Sequence, residues 1–69
     1  MRHITVQIVN AGDNRHREDV QGRNVVSCNP DTPAVVTGRV EGDTVIVNVL
    51  GIPGKPLPRT VDVWLDWEN

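Results

Sequence analysis

The side chains that could attack a substrate or carry a proton are few in this chain and are scattered along it. A nucleophile and its base would have to come from Ser27, Cys28, His16 and Asp19. No nucleophile-elbow signature surrounds Ser27 or Cys28, and the spacing gives no reason for His16 to reach either of them. A free cysteine in an apolar run is most often a small buried side chain. We therefore expect no catalytic residues and a non-enzymatic protein.

Metal ligands and phosphate-binding loops are also expected to be absent. The Gly54-Lys55 pair does not belong to a P-loop, because Val49 stands where that motif needs its first glycine and Pro56 where it needs Ser or Thr. The side chains that could bind a metal have neither zinc-type spacing nor the pattern of a calcium loop. These side chains are His3, His16, Cys28, Asp13, Glu18 and Asp19. We expect no metal and no cofactor.

The two tryptophans, Trp64 and Trp67, lie close together in a chain that has no Phe or Tyr. Both belong to the stretch TVDVWLDW, whose period-two pattern predicts a strand. Trp64 would point outward between Asp62 and Asp66, where either the chain's own proline-rich loop or another protein must cover it. Trp is enriched at interface hot spots, so Trp64 is a candidate partner-binding residue. The inward row of this strand would be Val61, Val63, Leu65 and Trp67.

Two connecting segments supply further candidate partner-binding residues. Three prolines predict that segment 51–59, GIPGKPLPR, is stiff and extended and can lie flat on a surface. Pro53-x-x-Pro56 is nominally a PxxP ligand, but a stiff connector is the favoured interpretation. Segment 11–23 carries three arginines, which could pair with the acidic last strand of a second copy in a self-complementary contact. The predicted partner-binding residues are Trp64, Asp62, Asp66, Ile52, Pro53, Pro56, Pro58, Arg15, Arg17 and Arg23.

The elements that position these residues are predicted to be strands. Alternating apolar residues indicate five of them, at 4–10, 24–28, 34–40, 44–50 and 60–67. Gly42-Asp43 is the composition of a two-residue hairpin turn with glycine first. This turn places Glu41 opposite Thr44 and Val36 opposite Val49, and it collects the apolar residues of both strands on one face. Segment 11–23 is expected to be a loop that could hold a helical turn, with Asp13 or Asn14 as N-cap and Gly22 beyond its end.

The predicted fold is one small all-β domain over residues 1–69, a five-stranded antiparallel barrel or sandwich. The strand order is compatible with an SH3-like barrel, although the aromatic ligand-binding positions of an SH3 domain have no counterpart here. Thirteen valines give a thin core, and a chain this short rarely gains more than about 3–5 kcal/mol from its core. A single cysteine excludes an intrachain disulfide, so we expect a homo-oligomer or docking on a larger assembly.

Charge and hydropathy restrict the partner further. The net charge of −2 gives no basic footprint for nucleic acid. No apolar run is long enough for a membrane span or a signal peptide, so we expect a soluble protein that is not secreted by a signal peptide. Its location is otherwise open and would be a host cytoplasm or a virion if the chain is phage-encoded. We predict a binding and assembly module that acts through protein–protein contacts, such as a phage capsid decoration or tail adaptor protein. The alternatives are a nucleic-acid-binding small β-barrel, a phage-encoded inhibitor of a host protein and, below these, a small enzyme.

Overall fold

A computed structural model describes residues 1–20 and 22–66, which form six β-strands and contain no helix. The strands are β1 (Arg2–Gln7), β2 (Gly12–Arg17), β3 (Val25–Pro30), β4 (Val35–Glu41), β5 (Thr44–Leu50) and β6 (Thr60–Leu65). They pair into two three-stranded antiparallel sheets, in the orders β1-β6-β3 and β2-β5-β4. The all-β antiparallel prediction is confirmed. The predicted strand count of five and the closed barrel are not confirmed, because the described residues form six strands in two separate sheets. In these residues no helix is long and apolar enough to cross a membrane.

The hairpin of β4 and β5 has the predicted turn and register. Gly42 has a φ of 60°, whereas no residue other than glycine in the described chain has a positive φ. This is the type II′ arrangement, whose twist matches that of the strands it joins. Glu41 lies opposite Thr44 and Val36 opposite Val49, as predicted. The turn chemistry and the apolar face therefore specify the same pairing.

Strand β2 is the element that the sequence pattern does not predict. It lies in segment 11–23, where a loop that could hold a helical turn is expected. Its outward side chains are all charged, and its inward positions lack the apolar residues that signal a half-buried strand. The inward Asn14 is buried because its side chain bonds the backbone of the turn that joins β1 to β2. Asn14 therefore caps a β-turn and does not begin a helix.

The two sheets pack their inner faces on one valine-rich core. The central strands β5 and β6 fill most of it, and the predicted inward row of β6 is confirmed as far as Leu65, while Trp67 lies outside the described residues. The buried cluster consists of Ile4, Val6, Val20, Val45, Val47, Val49, Val61, Val63 and Leu65.

The seam between β3 and β4 explains why the sheets do not close into a barrel. The two strands are neighbours in space but share no ladder hydrogen bonds. Side chains of β3 fill the seam instead, and Gly38 of β4 leaves room for them. A Cβ atom on Gly38 would lie 2.7 Å from the Cys28 Sγ and 3.2 Å from the Val25 Cγ1.

Candidate functional site

Trp64 stands on the outward face of the first sheet, at its centre. Strand β6 is the middle strand of that sheet, and the register places Trp64 between His3 of β1 and Ser27 of β3. One pair further along, Asp62 lies between Thr5 and Asn29. We call this surface the Trp64 face. Its outward strand residues are His3, Thr5, Gln7, Ser27, Asn29, Thr60, Asp62 and Trp64.

The side chain of His3 covers part of Trp64. The two rings are stacked, with centroids 4.6 Å apart and an interplanar angle of 27°. The His3 Nε2 also lies 3.0 Å from the Asp62 Oδ1, and the Thr5 hydroxyl donates to the same oxygen at 3.1 Å. Trp64 nevertheless stays 38 % exposed. The first strand thus supplies a cover for Trp64 that the sequence does not predict, and this cover is incomplete.

The Trp64 face is acidic. Hydrogen bonds from His3 and then Thr5 hold the pKa of Asp62 below its usual range, so this carboxyl is ionised at neutral pH. None of the outward strand residues of this face within the described chain is Arg or Lys. The centre of the sheet therefore presents an indole beside a carboxylate that has no fixed positive charge next to it.

Asp66, predicted to bind a partner, ties the end of β6 to the segment before β3. Its carboxylate accepts hydrogen bonds from the backbone N–H of Asn24 at 2.8 Å and from the Asn24 side chain at 3.2 Å. These bonds lower the pKa of Asp66, and the charge of Arg23 adds to the effect. The backbone N–H of Asp66 in turn donates to the Asn24 carbonyl. Asp66 therefore has a structural role inside the chain.

The proline loop is turned, so the predicted extended shape is wrong. The Lys55 N–H donates to the Ile52 carbonyl at 3.0 Å, and Gly54 has a φ of 83°. With Pro53 and Gly54 at the central positions, this is the geometry of a type II turn, which cannot be part of a polyproline II helix. Ile52, Pro53 and Pro56 are exposed, whereas Pro58 is buried. The PxxP interpretation loses its structural basis, and three of the four predicted residues of this loop remain accessible.

Arg15 and Arg17 lie on the outward face of the second sheet, on the opposite side of the molecule from Trp64. Arg17 pairs within the chain with Asp43, at 2.9 Å between Nε and Oδ2. The residues predicted to bind a partner therefore do not form one surface. Pairing of these arginines with Asp62 of a second copy would join opposite faces, which is a heterologous contact and cannot be self-complementary.

Strand β5 carries Ile46 on that second outward face, yet Ile46 is nearly fully buried. Arg15 and Arg39 flank it on the neighbouring strands. The guanidinium of Arg39 reaches over β5 to Asp13 at 3.2 Å and also pairs with Glu41 at 2.6 Å. Long arginine stems can cover apolar surface while their charged ends stay in water. This polar network covers Ile46 at the centre of the outward face of the second sheet.

The network predicts a pH dependence of stability at Asp13. Hydrogen bonds from Asn48 and then Arg39 lower the pKa of Asp13 in the folded chain. A lowered pKa stabilises the fold above the unfolded-state value of about 3.9, and the contribution is lost as the pH falls through the folded-state pKa. In urea unfolding between pH 2 and 7, Asp13→Asn is expected to be less stable than the wild type at pH 6 and equal to it near pH 2. A difference between the two proteins that does not change with pH would contradict this role.

The side chains with possible chemistry are not brought together by the fold. Ser27 is exposed on the Trp64 face, Cys28 points inward toward Gly38, and His16 lies in the other sheet with its Nε2 3.1 Å from the Glu18 Oε1. Burial raises the pKa of the Cys28 thiol. Residues 1–20 and 22–66 form no pocket and contain no group of three or more potential metal ligands.

No family model, curated protein or solved structure matches the chain. The Trp64 face is the surface whose chemistry is most specific, because it combines an exposed indole, an ionised carboxylate and an imidazole within bonding distance. The sequence pattern predicts Trp64 and Asp62 for this site but gives no sign of His3, Thr5, Ser27 and Asn29. Their positions depend on the pairing of the first and third strands with the last.

Proposed function

We propose that this chain is a protein-binding module that docks its partner on the Trp64 face. The observation that supports the proposal is the position of Trp64, which is 38 % exposed at the centre of a sheet, between His3 and Ser27 of the neighbouring strands. Protein interfaces are enriched in aromatic anchors at their centre and have a polar rim. The described residues form no pocket on this face, which favours a macromolecular partner over a small molecule.

A protein partner fits this face better than a nucleic acid does. Proteins that bind single strands combine stacking aromatic residues with a positively charged groove that follows the phosphates. Here Trp64 stands beside the ionised Asp62, and the strand residues that surround it in the described sheet include no Arg or Lys. The carboxylate would repel a phosphate backbone at the point where a base would stack.

Docking on a partner would also add stability to a domain of this small size. A core built mainly of valine in a chain of 69 residues leaves a small margin of stability. Binding that occurs only in the folded state adds to this margin by mass action. A virion accessory protein, for example in capsid decoration or as a tail adaptor, is the specific form of this proposal, with a homo-oligomer or a larger assembly as the partner.

The proposal predicts that partners bind through Trp64. Peptides selected from a random display library against the wild-type chain are expected to bind Trp64→Ser at least about tenfold more weakly, because truncating a hot-spot residue costs about 2 kcal/mol or more. The affinities can be measured by fluorescence anisotropy with labelled peptides. Since Trp64 is outside the buried core cluster, the variant should keep its fold, which circular dichroism and urea unfolding can verify.

Leu50→Ser is the matched control. Leu50 is 60 % exposed on the outward face of the other sheet, so this variant also removes a large exposed apolar side chain. Its affinities for the selected peptides are expected to equal those of the wild type. Peptides that lose as much affinity for Leu50→Ser as for Trp64→Ser would refute the Trp64 face as the docking surface.

A further inference from the structure

We infer that the Trp64 face recognises a basic side chain of the partner, an arginine, and that His3 occupies the place of this side chain in the free chain. The inference rests on the proposed function and names the chemistry of the partner. It depends on three features of the face, which are the geometry of indole and carboxylate, the absence of a fixed positive charge, and the exposure of His3.

The indole and the carboxylate are arranged for a planar cation. The His3 ring stacks on Trp64 with centroids 4.6 Å apart, and its Nε2 lies 3.0 Å from the Asp62 Oδ1. A guanidinium can make both contacts at once, because it is planar, stacks on aromatic rings and donates hydrogen bonds to carboxylates. The imidazole therefore marks a position in which an arginine would gain a stacking contact and an ion pair.

The charge of the face favours such a partner. Asp62 is ionised, and its described partners, His3 and Thr5, both bond the Oδ1 atom. No hydrogen bond to the Asp62 Oδ2 is made within residues 1–20 and 22–66. The described part of the chain thus leaves the second oxygen of this charged carboxylate open to a further donor. Complementary charge of this kind sets the choice of partner and the register of docking.

His3 can be displaced at low cost. It lies on the edge strand β1, its side chain is partly exposed, and it is outside the buried core cluster. Its stack and its bond with Asp62 are both surface contacts, which contribute little to folding stability. The histidine therefore shields the indole in the free chain and competes with the partner's basic side chain for the same position.

The inference is tested with a pair of probe peptides of the sequence acetyl-Gly-Gly-X-Gly-Gly-amide, in which X is arginine or its neutral analogue citrulline. Binding is followed by the NMR signal of the Trp64 indole N–H, which is identified by its loss in Trp64→Ser. The arginine peptide is expected to bind about fivefold more tightly than the citrulline peptide, in line with a surface cation–π contact and an ion pair. Asp62→Asn is expected to reduce this difference, because it removes the ion pair and leaves the cation–π contact with Trp64, and His3→Ala to tighten arginine binding about two- to fivefold.

Asp66→Asn is the control for general charge, because it removes a nearby carboxylate that Asn24 already engages. It should leave the preference for arginine unchanged. Equal binding of the two peptides, or a preference of unchanged size in Asp62→Asn, would overturn the basic-side-chain inference. Weaker arginine binding by His3→Ala would overturn the competing role of His3. In each case, selected peptides that still depend on Trp64 would leave the proposed function intact, whereas peptides that bind without Trp64 would refute the proposed function itself.

Discussion

Replacing Asn14 by Ala is expected to lower the free energy of unfolding by about 2–3 kcal/mol, because its side chain organises the turn between β1 and β2. Asn14 is only 3 % exposed. Its Oδ1 accepts from the backbone N–H groups of Val9 at 2.9 Å and Asn10 at 3.4 Å. Its Nδ2 donates to the carbonyls of Asn10 at 2.9 Å and Gly12 at 3.1 Å. Alanine would leave four backbone groups without these partners.

This loss is large for a chain of this length, in which a single core rarely supplies more than about 3–5 kcal/mol. Urea unfolding followed by tryptophan fluorescence measures it directly. Asn10→Ala is the matched control, because Asn10 is exposed and contributes to these bonds only through its backbone. We expect this control to change stability by less than about 0.5 kcal/mol. Equal stabilities of Asn14→Ala and Asn10→Ala would show that the side chain of Asn14 does not hold the turn.

Gly38→Ala is expected to destabilise the chain by about 1–2 kcal/mol through overpacking of the seam between the sheets. The added methyl group would lie 2.7 Å from the Cys28 Sγ and 3.2 Å from the Val25 Cγ1, which is closer than atoms normally approach. The φ of Gly38 is outside the left-handed region, so backbone strain does not contribute. The smaller entropy of the unfolded variant offsets part of the cost, by about 0.4–1 kcal/mol.

A second substitution separates this mechanism from a general loss of stability. In Cys28→Ala the sulfur is absent, so Gly38→Ala in that background should cost much less than in the wild type, and a double-mutant cycle measures the coupling. Gly51→Ala is the control, because its added methyl group meets only the flexible end of Leu57 at 3.2 Å. Additive effects of the two substitutions at 28 and 38 would mean that the seam can relax without moving Cys28.

The hairpin of β4 and β5 shows what local sequence can determine. A glycine that must adopt a positive φ fixes the turn, and the alternation of valines fixes the faces, so two independent signals specify one register. The same alternation correctly predicts that Val61, Val63 and Leu65 are buried and that Trp64 points outward. These features can be predicted from residues that are close together in the sequence.

Strand β2 shows where local sequence is insufficient. Its six residues, GDNRHR, have no apolar period because hydrogen bonds of Asn14 take the place of an apolar contact on its inner side. Only pairing with β5, about thirty residues away, makes this segment a strand. The division of six strands into two sheets likewise depends on contacts between distant segments, which periodicity does not contain.

The candidate site also contains residues that the local sequence predicts and residues that it does not. Trp64 and Asp62 follow from the alternation of β6, whereas His3 reaches them only because the first and last strands pair. The turn in the proline loop, in contrast, has a local signal, since Pro53 followed by Gly54 is the pattern of a type II turn. Counting prolines alone predicts an extended loop, while the Pro-Gly pair predicts the bend.

The most direct test of the central claim is a map of backbone amide chemical shifts during titration with a peptide selected against the wild-type chain. Docking on the Trp64 face predicts the largest changes at His3, Thr5, Ser27, Asp62 and Trp64. It also predicts little change at Arg15, Thr37 and Arg39, which lie on the outward face of the other sheet. Changes centred on that second face, with the signals around Trp64 unmoved, would contradict the account.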